Sequence, residues 1–337
     1  MKEKPALQDQ RIIDRIREVY GVEIARAEFL PIGDISSAKY RLVTNEPVPY
    51  FLKLRKGSYK EISVSVPHFL HEQGIYQVLS PLKTQDGRLW TDLDAYTCIL
   101  YPFIEGQNGF QAPLSDGQWI ELGAALKDVH CVDLPSDLQA KIPVETYSPF
   151  WREKVKGFLL QAEHNSYEDP VATKMAAVLQ EHRDEIRFVL KRAEELGKAL
   201  QSQPLEQVLC HTDIHAGNLL LEADGALHMI DWDDPLLAPK ERDLMFIGGG
   251  IGGIWNTARE EDLFYQGYGG KDIDLTALTY YRYERIVSDI GEFSQQILST
   301  TEGGADRERS LQKFYAAFLP NQVLDIAFRS DKILTSG

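Results

Sequence analysis

The chain has little from which to build a thiolate centre and nothing with which to cross a membrane. Its three cysteines, Cys98, Cys131 and Cys210, are an odd number in apolar surroundings and show no metal-ligand spacing. Nothing there suggests a disulfide framework, and each reads as a small, reduced core residue of a cytoplasmic protein. No stretch approaches the roughly 18 apolar residues of a spanning helix, and Met1-Lys2-Glu3-Lys4-Pro5 carries charge with no apolar run behind it. A soluble, cytosolic protein is expected. Cations are short too: 36 Lys and Arg face 51 Asp and Glu, a net charge of −15. That balance disfavours nucleic acid and acidic membrane as partners and favours a neutral or cationic small molecule, although solubility alone produces the same charge. Internal repeats and low-complexity linkers are missing. Hydrophobic content of 43% with 10% aromatics is ample for packed cores and excludes disorder. The length of 337 residues allows one large or two moderate domains and leaves oligomeric state open.

The pattern along the chain predicts two lobes. Ile12, Ile13, Ile16 and Val19 sit at helical spacing. Residues 29–32, 39–43 and 50–54 read as strands, a helix follows over about 61–73, and residues 88–93 and 95–101 read as strands again. This is an α+β lobe over residues 1–100. Tyr101-Pro102-Phe103-Ile104-Glu105-Gly106, punctuated by Pro and Gly, marks a crossover at 101–106. Residues 107–337 read as mainly helical: 118–130, a long periodic stretch over 171–200, 277–298 and 311–319.

The densest chemistry lies in His211-Thr212-Asp213-Ile214-His215-Ala216-Gly217-Asn218, followed by Ile230-Asp231-Trp232-Asp233. Leu219-Leu220-Leu221 reads as a strand, Ala223-Asp224-Gly225 as a turn and residues 227–230 as the return strand. Such a hairpin brings Asn218 and Asp231 to one end, where one cation can bridge them. Asp213 is then free to accept a hydroxyl proton. An Asp, an Asn five residues later and a second Asp on the next hairpin is the arrangement used for phosphoryl transfer from a Mg-nucleotide. Ordinary turn or cap residues on a polar hairpin would explain any one of these positions, but not the set.

Lys53 lies inside the apolar strand Tyr50-Phe51-Leu52-Lys53-Leu54. If Leu52 and Leu54 face one side, Lys53 and Phe51 share the other, and a buried ammonium needs an anionic partner. Glu61 is the nearest candidate, with Glu72 on the same predicted helix. Gly33-Asp34-Ile35-Ser36-Ser37 falls between two strands, where small polar residues let backbone N–H groups approach phosphate oxygens. Taken alone, a plain hairpin turn accounts for that loop better.

Taken together, Lys53, the Gly33 loop, the Tyr101 crossover and the two Asp-bearing motifs resemble the aminoglycoside phosphotransferases and related small-molecule kinases. The resemblance covers nearly the whole chain. It implies the two-lobed protein-kinase-like fold, with a small β-rich N-lobe carrying one key helix and a larger, mainly helical C-lobe. The run from Asp231 to Gly250, Trp255-Asn256 and Tyr281-Arg282-Tyr283-Glu284-Arg285 are similar to the branch that phosphorylates spectinomycin. The resemblance implies ATP and Mg²⁺ as cofactors. It casts Asp213 as the group that orients the acceptor hydroxyl and takes its proton, and Asn218 and Asp231 as metal ligands. Lys53 would contact the nucleotide phosphates, positioned by Glu61. Gly33, Ser36 and Ser37 would cover those phosphates, and the backbone around Tyr101 and Phe103 would pair with adenine. Asp243 would brace the catalytic loop; His211 and His215 read as structural. The acceptor pocket is expected to be walled by Asp233, Asp234, Glu241, Trp255, Tyr281, Glu284 and Arg285, carboxylates for amines and aromatic faces for sugar-like rings. Gly248-Gly249-Gly250-Ile251-Gly252-Gly253 would be a flexible segment by that pocket or a plain helix terminus. Ser36-Ser37 departs from the Asn that many family members carry in this loop. Two rivals stand beside this reading. One is the same fold acting on choline, homoserine or a methylthio sugar; the other is a metal-dependent phosphohydrolase ligated by His211, Asp213 and Asp231.

Overall fold

Ile12, Ile13, Ile16 and Tyr20 form the buried stripe of helix α1 (Asp9–Tyr20). The helix stops where Gly21 takes a left-handed φ of 69° and returns its N–H to Arg17 O, a conformation that suits glycine. The structure, a computed structural model, describes residues 4–32, 37–45, 48–57, 60–203, 205–251, 253–301 and 304–336.

Beyond α1 come β1 (Ile24–Leu30), β2 (Ser37–Thr44), β3 (Tyr50–Lys56), α2 (Ile62–Glu72), β4 (Thr91–Leu93), β5 (Tyr96–Pro102) and β6 (Gly106–Asn108). Helices α3 (Asp116–Cys131), α4 (Ser136–Gln139), α5 (Phe150–His164), α6 (Pro170–Glu181) and α7 (Arg183–Ser202) follow. Next are β7 (Val208–Cys210), β8 (Leu219–Glu222), β9 (Leu227–Met229), β10 (Leu236–Ala238) and the single turn α8 (Glu241–Leu244). The chain closes with α9 (Ala258–Tyr268), α10 (Leu275–Leu298), α11 (Gly304–Ala316) and α12 (Val323–Ser336). Among the described residues no helix is long and apolar enough to cross a membrane.

The chain divides into two compact units: Met1–Gln118 with Val132–Ile142 and Gly217–Pro235, and Trp119–Cys131 with Pro143–Ala216 and Leu236–Gly337. The first is a sheet unit. Its antiparallel sheet runs β1–β2–β3–β5–β4. Side chains alternate across a pleated strand, and this sorts the two faces. Tyr40, Leu42, Leu52, Leu54, Cys98 and Leu100 join α1 in one buried cluster. The opposite face carries Lys39, Lys53 and Ile99 in register across β2, β3 and β5, flanked by Ser37, Arg55 and Thr97.

The hairpin β8–β9 also belongs to this unit, although it lies beyond the crossover expected at 101–106. Backbone pairing is the reason. β6 pairs antiparallel with β8, Met229 donates to Gln77 O at 2.6 Å, and Leu79 donates to Met229 O at 3.2 Å. Gly106 permits the first of these contacts, because a Cβ there would sit 2.6 Å from Leu221 O.

In the helical unit α10 packs against α5, α6, α7, α8, α11 and α12, and β7 pairs with β10. The periodic stretch predicted over 171–200 is two helices. His182 breaks it at φ −98°, ψ 16°, yet the buried face continues through Leu179 and Ile186, so periodicity alone cannot reveal the break. Helices α5, α9 and α12 were not anticipated. α9 had a readable signal: Thr257 and Glu260 form a capping box, and Gly269 ends the helix at φ 87°.

Helices α3 and α9 approach so closely that a Cβ on Gly123 would lie 2.1 Å from Phe264 O. Gly123→Ala should therefore lower unfolding stability by about 1–3 kcal/mol. Gly117→Ala, on the same helix with nothing within 4 Å of its Cβ, should be neutral or stabilising. Paired urea melts check the contrast; equal midpoints would refute the close approach.

Candidate active site

The end of the β8–β9 hairpin is built as its spacing predicts. Ile230 donates its N–H to Asn218 O at 2.9 Å just beyond the Leu219–Met229 pair, so Asn218 and Asp231 leave the hairpin side by side. Asp231 takes a left-handed φ of 67°, a region that Asp tolerates better than most residues. Pleating carries Lys53 to the face away from α1. Its Nζ donates to Asp231 Oδ1 at 2.6 Å and to Asp233 Oδ1 at 2.7 Å, with the side chain only 6% exposed. Arg55 Nη1 lies 2.8 Å from the same Asp233 oxygen. Burial pulls the Lys53 pKa down, but the two carboxylates outweigh it and hold the ammonium above its ordinary value.

The expected Lys53–Glu61 pair is not formed. Glu61 caps α2, is half exposed and pairs with Lys141 at 3.1 Å, whereas Asp231 and Asp233 reach the ammonium at bonding distance. Glu72 is engaged by His68 and Lys83, each at 3.0 Å. Gly33 and Ser36 lie outside the described residues; Ser37 opens β2 opposite Arg55 and is buried. Tyr101 pairs with Phe51 in the sheet. The Phe103 N–H lies a long 3.4 Å from Pro49 O, and its ring packs under Arg41. Asp234 is exposed and pairs with Lys60.

In the helical unit the loop after β7 is held in a strained shape. Thr212 has φ 76°, which is uncommon for a β-branched residue and is kept only where surrounding structure enforces it. Asp243 enforces it: the fully buried carboxylate accepts His211 N–H at 2.8 Å and Thr212 N–H at 2.6 Å. His130 Nε2 lies 3.1 Å from Asp243 Oδ2, and its Nδ1 lies 2.7 Å from Tyr268 Oη. Burial raises the Asp243 pKa; His130, His211 and the backbone donors outweigh that and keep the carboxyl below its ordinary value. Cys210, His130 and Asp243 converge closely enough to suggest a metal site. Their polar atoms are already engaged with one another, with Tyr268 and with backbone, and burial raises the thiol pKa well above normal, so the trio is a brace.

That brace presents Asp213, whose side chain is 59% exposed. Its Oδ2 lies 3.5 Å from His215 Nε2. Packing around the Asp213 carboxyl raises its pKa, and His215, His211 and Arg285 more than reverse this. The group is thus ionised at neutral pH. Arg285 stacks on Phe246 at 4.4 Å, donates to Gly250 O at 3.3 Å and faces Asp289 at 3.9 Å. Asp289 was missed by the sequence reading, although it stands one helical turn beyond Arg285 on α10.

Four residues expected to wall the acceptor pocket are closed off instead. Trp255 is buried and packs edge-on against Trp119 at 5.0 Å; Tyr281 is fully buried against Tyr280 at 5.0 Å. Glu241 accepts the Asp274 N–H at 2.9 Å, and Glu284 is taken by Arg152. Core packing and internal partners consume these side chains, which proximity to the motif in sequence does not reveal. In the glycine run Gly248 and Gly250 turn tightly, with φ of 64° and 73°, and the Gly250 N–H returns to Trp255 O at 3.2 Å, while Gly252 lies outside the described residues.

The sequence matches the profile of the phosphotransferase enzyme family, APH, over residues 28–281. The chain belongs to this family. It is an enzyme that phosphorylates a hydroxyl group, and the phosphohydrolase alternative falls. The structure of the spectinomycin phosphotransferase APH(9)-Ia, in complex with ADP and spectinomycin, is 38% identical with a TM-score of 0.91, covering 98% of this chain and 100% of that one. Protein StrN of Streptomyces griseus is 27% identical over 235 residues, which is 66% of this phosphotransferase and 69% of that protein. The amicoumacin kinase hAmiN, at 15% identity and a TM-score of 0.63 over 96% of this chain and 94% of that one, shares the fold.

Asp243→Asn keeps the shape but gives up charge-assisted bonds to two backbone donors, which should cost about 1.5–3 kcal/mol at neutral pH. A depressed carboxyl pKa adds stability that is complete above the unfolded value near 3.8 and lost as pH falls through the folded value. The wild-type enzyme should therefore lose this increment in acid below about pH 4 and converge on the variant. Denaturant unfolding of both proteins from pH 7 to pH 3 checks the convergence; parallel curves would refute it.

Proposed function

We propose that this phosphotransferase moves the γ-phosphoryl group of ATP to a hydroxyl of spectinomycin. Identity of 38% at a TM-score of 0.91, across the full length of an enzyme solved with ADP and spectinomycin, carries the reading. The chemistry of the residues supports it. Ionised Asp213 accepts the acceptor's O–H, aims the oxygen at phosphorus and takes the proton as the new O–P bond forms. The bond from phosphorus to the bridging oxygen breaks, and ADP departs with that oxygen. A depressed pKa makes Asp213 a weak base, which suits a loose transition state in which the proton leaves late.

Lys53 neutralises phosphate charge from within an apolar sheet, where an ammonium acts more strongly than in water. Asn218 and Asp231 offer oxygen donors at one hairpin end, a donor set that fits Mg²⁺. Bound there with nucleotide, Mg²⁺ would supply charge neutralisation on the phosphates. The backbone around Tyr101 and Phe103 would meet adenine, and Ser37, at the start of β2, would help cover the phosphates. Arg285 of the expected acceptor set, with Asp289 beside it, would face the acceptor next to Asp213. The net charge of −15 suits a cationic aminocyclitol.

Mass spectrometry of spectinomycin incubated with the enzyme and Mg-ATP should show one added phosphate. An unchanged antibiotic, with choline or a sugar turned over instead, would promote the metabolite-kinase reading. Asp213→Asn should lower kcat by on the order of 10²–10⁴ with nucleotide affinity nearly unchanged. Near wild-type turnover would remove Asp213 from its role.

A further inference from the structure

We propose that Asp233, held in turn by Arg55, is the residue that positions Lys53, in place of an acid on helix α2; this rests on the nucleotide-site reading above. Three observations carry it. Lys53 Nζ bonds both Asp231 and Asp233, at 2.6 and 2.7 Å, while Glu61 is spent on Lys141. Arg55, two residues on along β3 and therefore on the same face as Lys53, contacts the oxygen of Asp233 that Lys53 uses, at 2.8 Å. Lys53 is almost wholly buried, so it must keep a fixed anion.

The two carboxylates have different obligations. Asp231 is an oxygen donor that a nucleotide-bound cation would claim, and whatever it gives to that cation it withdraws from Lys53. Asp233 is free of that duty. It keeps the ammonium at a set height above the sheet when Asp231 is drawn away, and Arg55 keeps Asp233 from following. Arg55, Asp233 and Lys53 thus form a chain of alternating charge running from a strand of the sheet to the hairpin end. Asp233 acts through Lys53 and is a positioning residue, not a substrate-binding wall.

The test compares Asp233→Asn, Arg55→Gln and Glu61→Gln. For each, two rates are read, phosphoryl transfer from Mg-ATP to spectinomycin and to water, together with calorimetric affinity for ADP without metal. Asp233→Asn should lower kcat about 10- to 100-fold, the range for a misplaced catalytic group. Its metal-free ADP affinity should hold or tighten, because one carboxylate fewer repels the phosphates. Arg55→Gln should lower kcat in the same direction by less. Glu61→Gln is the competing variant and should move neither reading. A Glu61→Gln loss matching that of Asp233→Asn would overturn the proposal, as would an unaltered rate in Asp233→Asn. A joint fall of kcat, ADP affinity and melting temperature in both Asp233→Asn and Arg55→Gln would mark the cluster as scaffolding and overturn it too. If spectinomycin is not turned over, the acceptor reading fails and the rate to water decides here. A wild-type enzyme that binds no ADP would sink both.

Discussion

A carboxylate without access to water, holding two consecutive backbone N–H groups, is the constraint on which the catalytic loop depends. Asp243 accepts from His211 and Thr212, and in doing so keeps Thr212 in a conformation that a β-branched residue does not adopt unaided. The direction in which Asp213 leaves the loop follows from that one turn. Strain of this kind persists only where its surroundings over-determine it. Here His130 and Tyr268 extend the network behind Asp243, so the carboxylate stays both ionised and immobile.

The sheet unit solves a related problem with opposite charge. An ammonium inside an apolar strand is costly, and β3 places it on the sheet face away from the α1 core by pleating alone. Asp231 and Asp233 then compensate it from the hairpin, alternate residues of an Ile-Asp-Trp-Asp run with Trp232 buried between them. The hairpin stays with this unit through main-chain bonds to β6 and to the segment after α2, which side-chain chemistry does not dictate.

On the acceptor side, charge and aromaticity have separate destinations. The aromatics of α10 and the glycine-rich turn are core: Tyr280, Tyr281, Tyr283 and Trp255 are buried. What remains beside Asp213 is a small set of charges, His215, Arg285 and Asp289, with the Arg285 guanidinium steadied on Phe246. The pKa of Asp213 responds to that set, whereas the more distant carboxylates answer to internal partners such as Arg152 and the Asp274 N–H.

The sequence by itself determined what is local or carried by a short motif. The α1 stripe, the strands that enclose Lys53 and the turn at Gly225 follow from periodicity and turn chemistry. So does the hairpin after Asn218, whose pairing brings Ile230 back to Asn218 O. That the fold combines a sheet lobe with a helical lobe was legible from strands giving way to helical periodicity. Tertiary structure decided what depends on which side chains meet across long separations. Glu61, close in sequence, read as the anion for Lys53, whereas Asp233, 180 residues away, supplies a carboxylate that only the folded chain brings within reach. Trp255, Tyr281, Glu241 and Glu284 read as a binding wall because they follow the motif, yet burial and internal partners claim them. The break at His182 escaped notice for the same reason: an apolar stripe records which face is buried, not whether the helix beneath it is continuous.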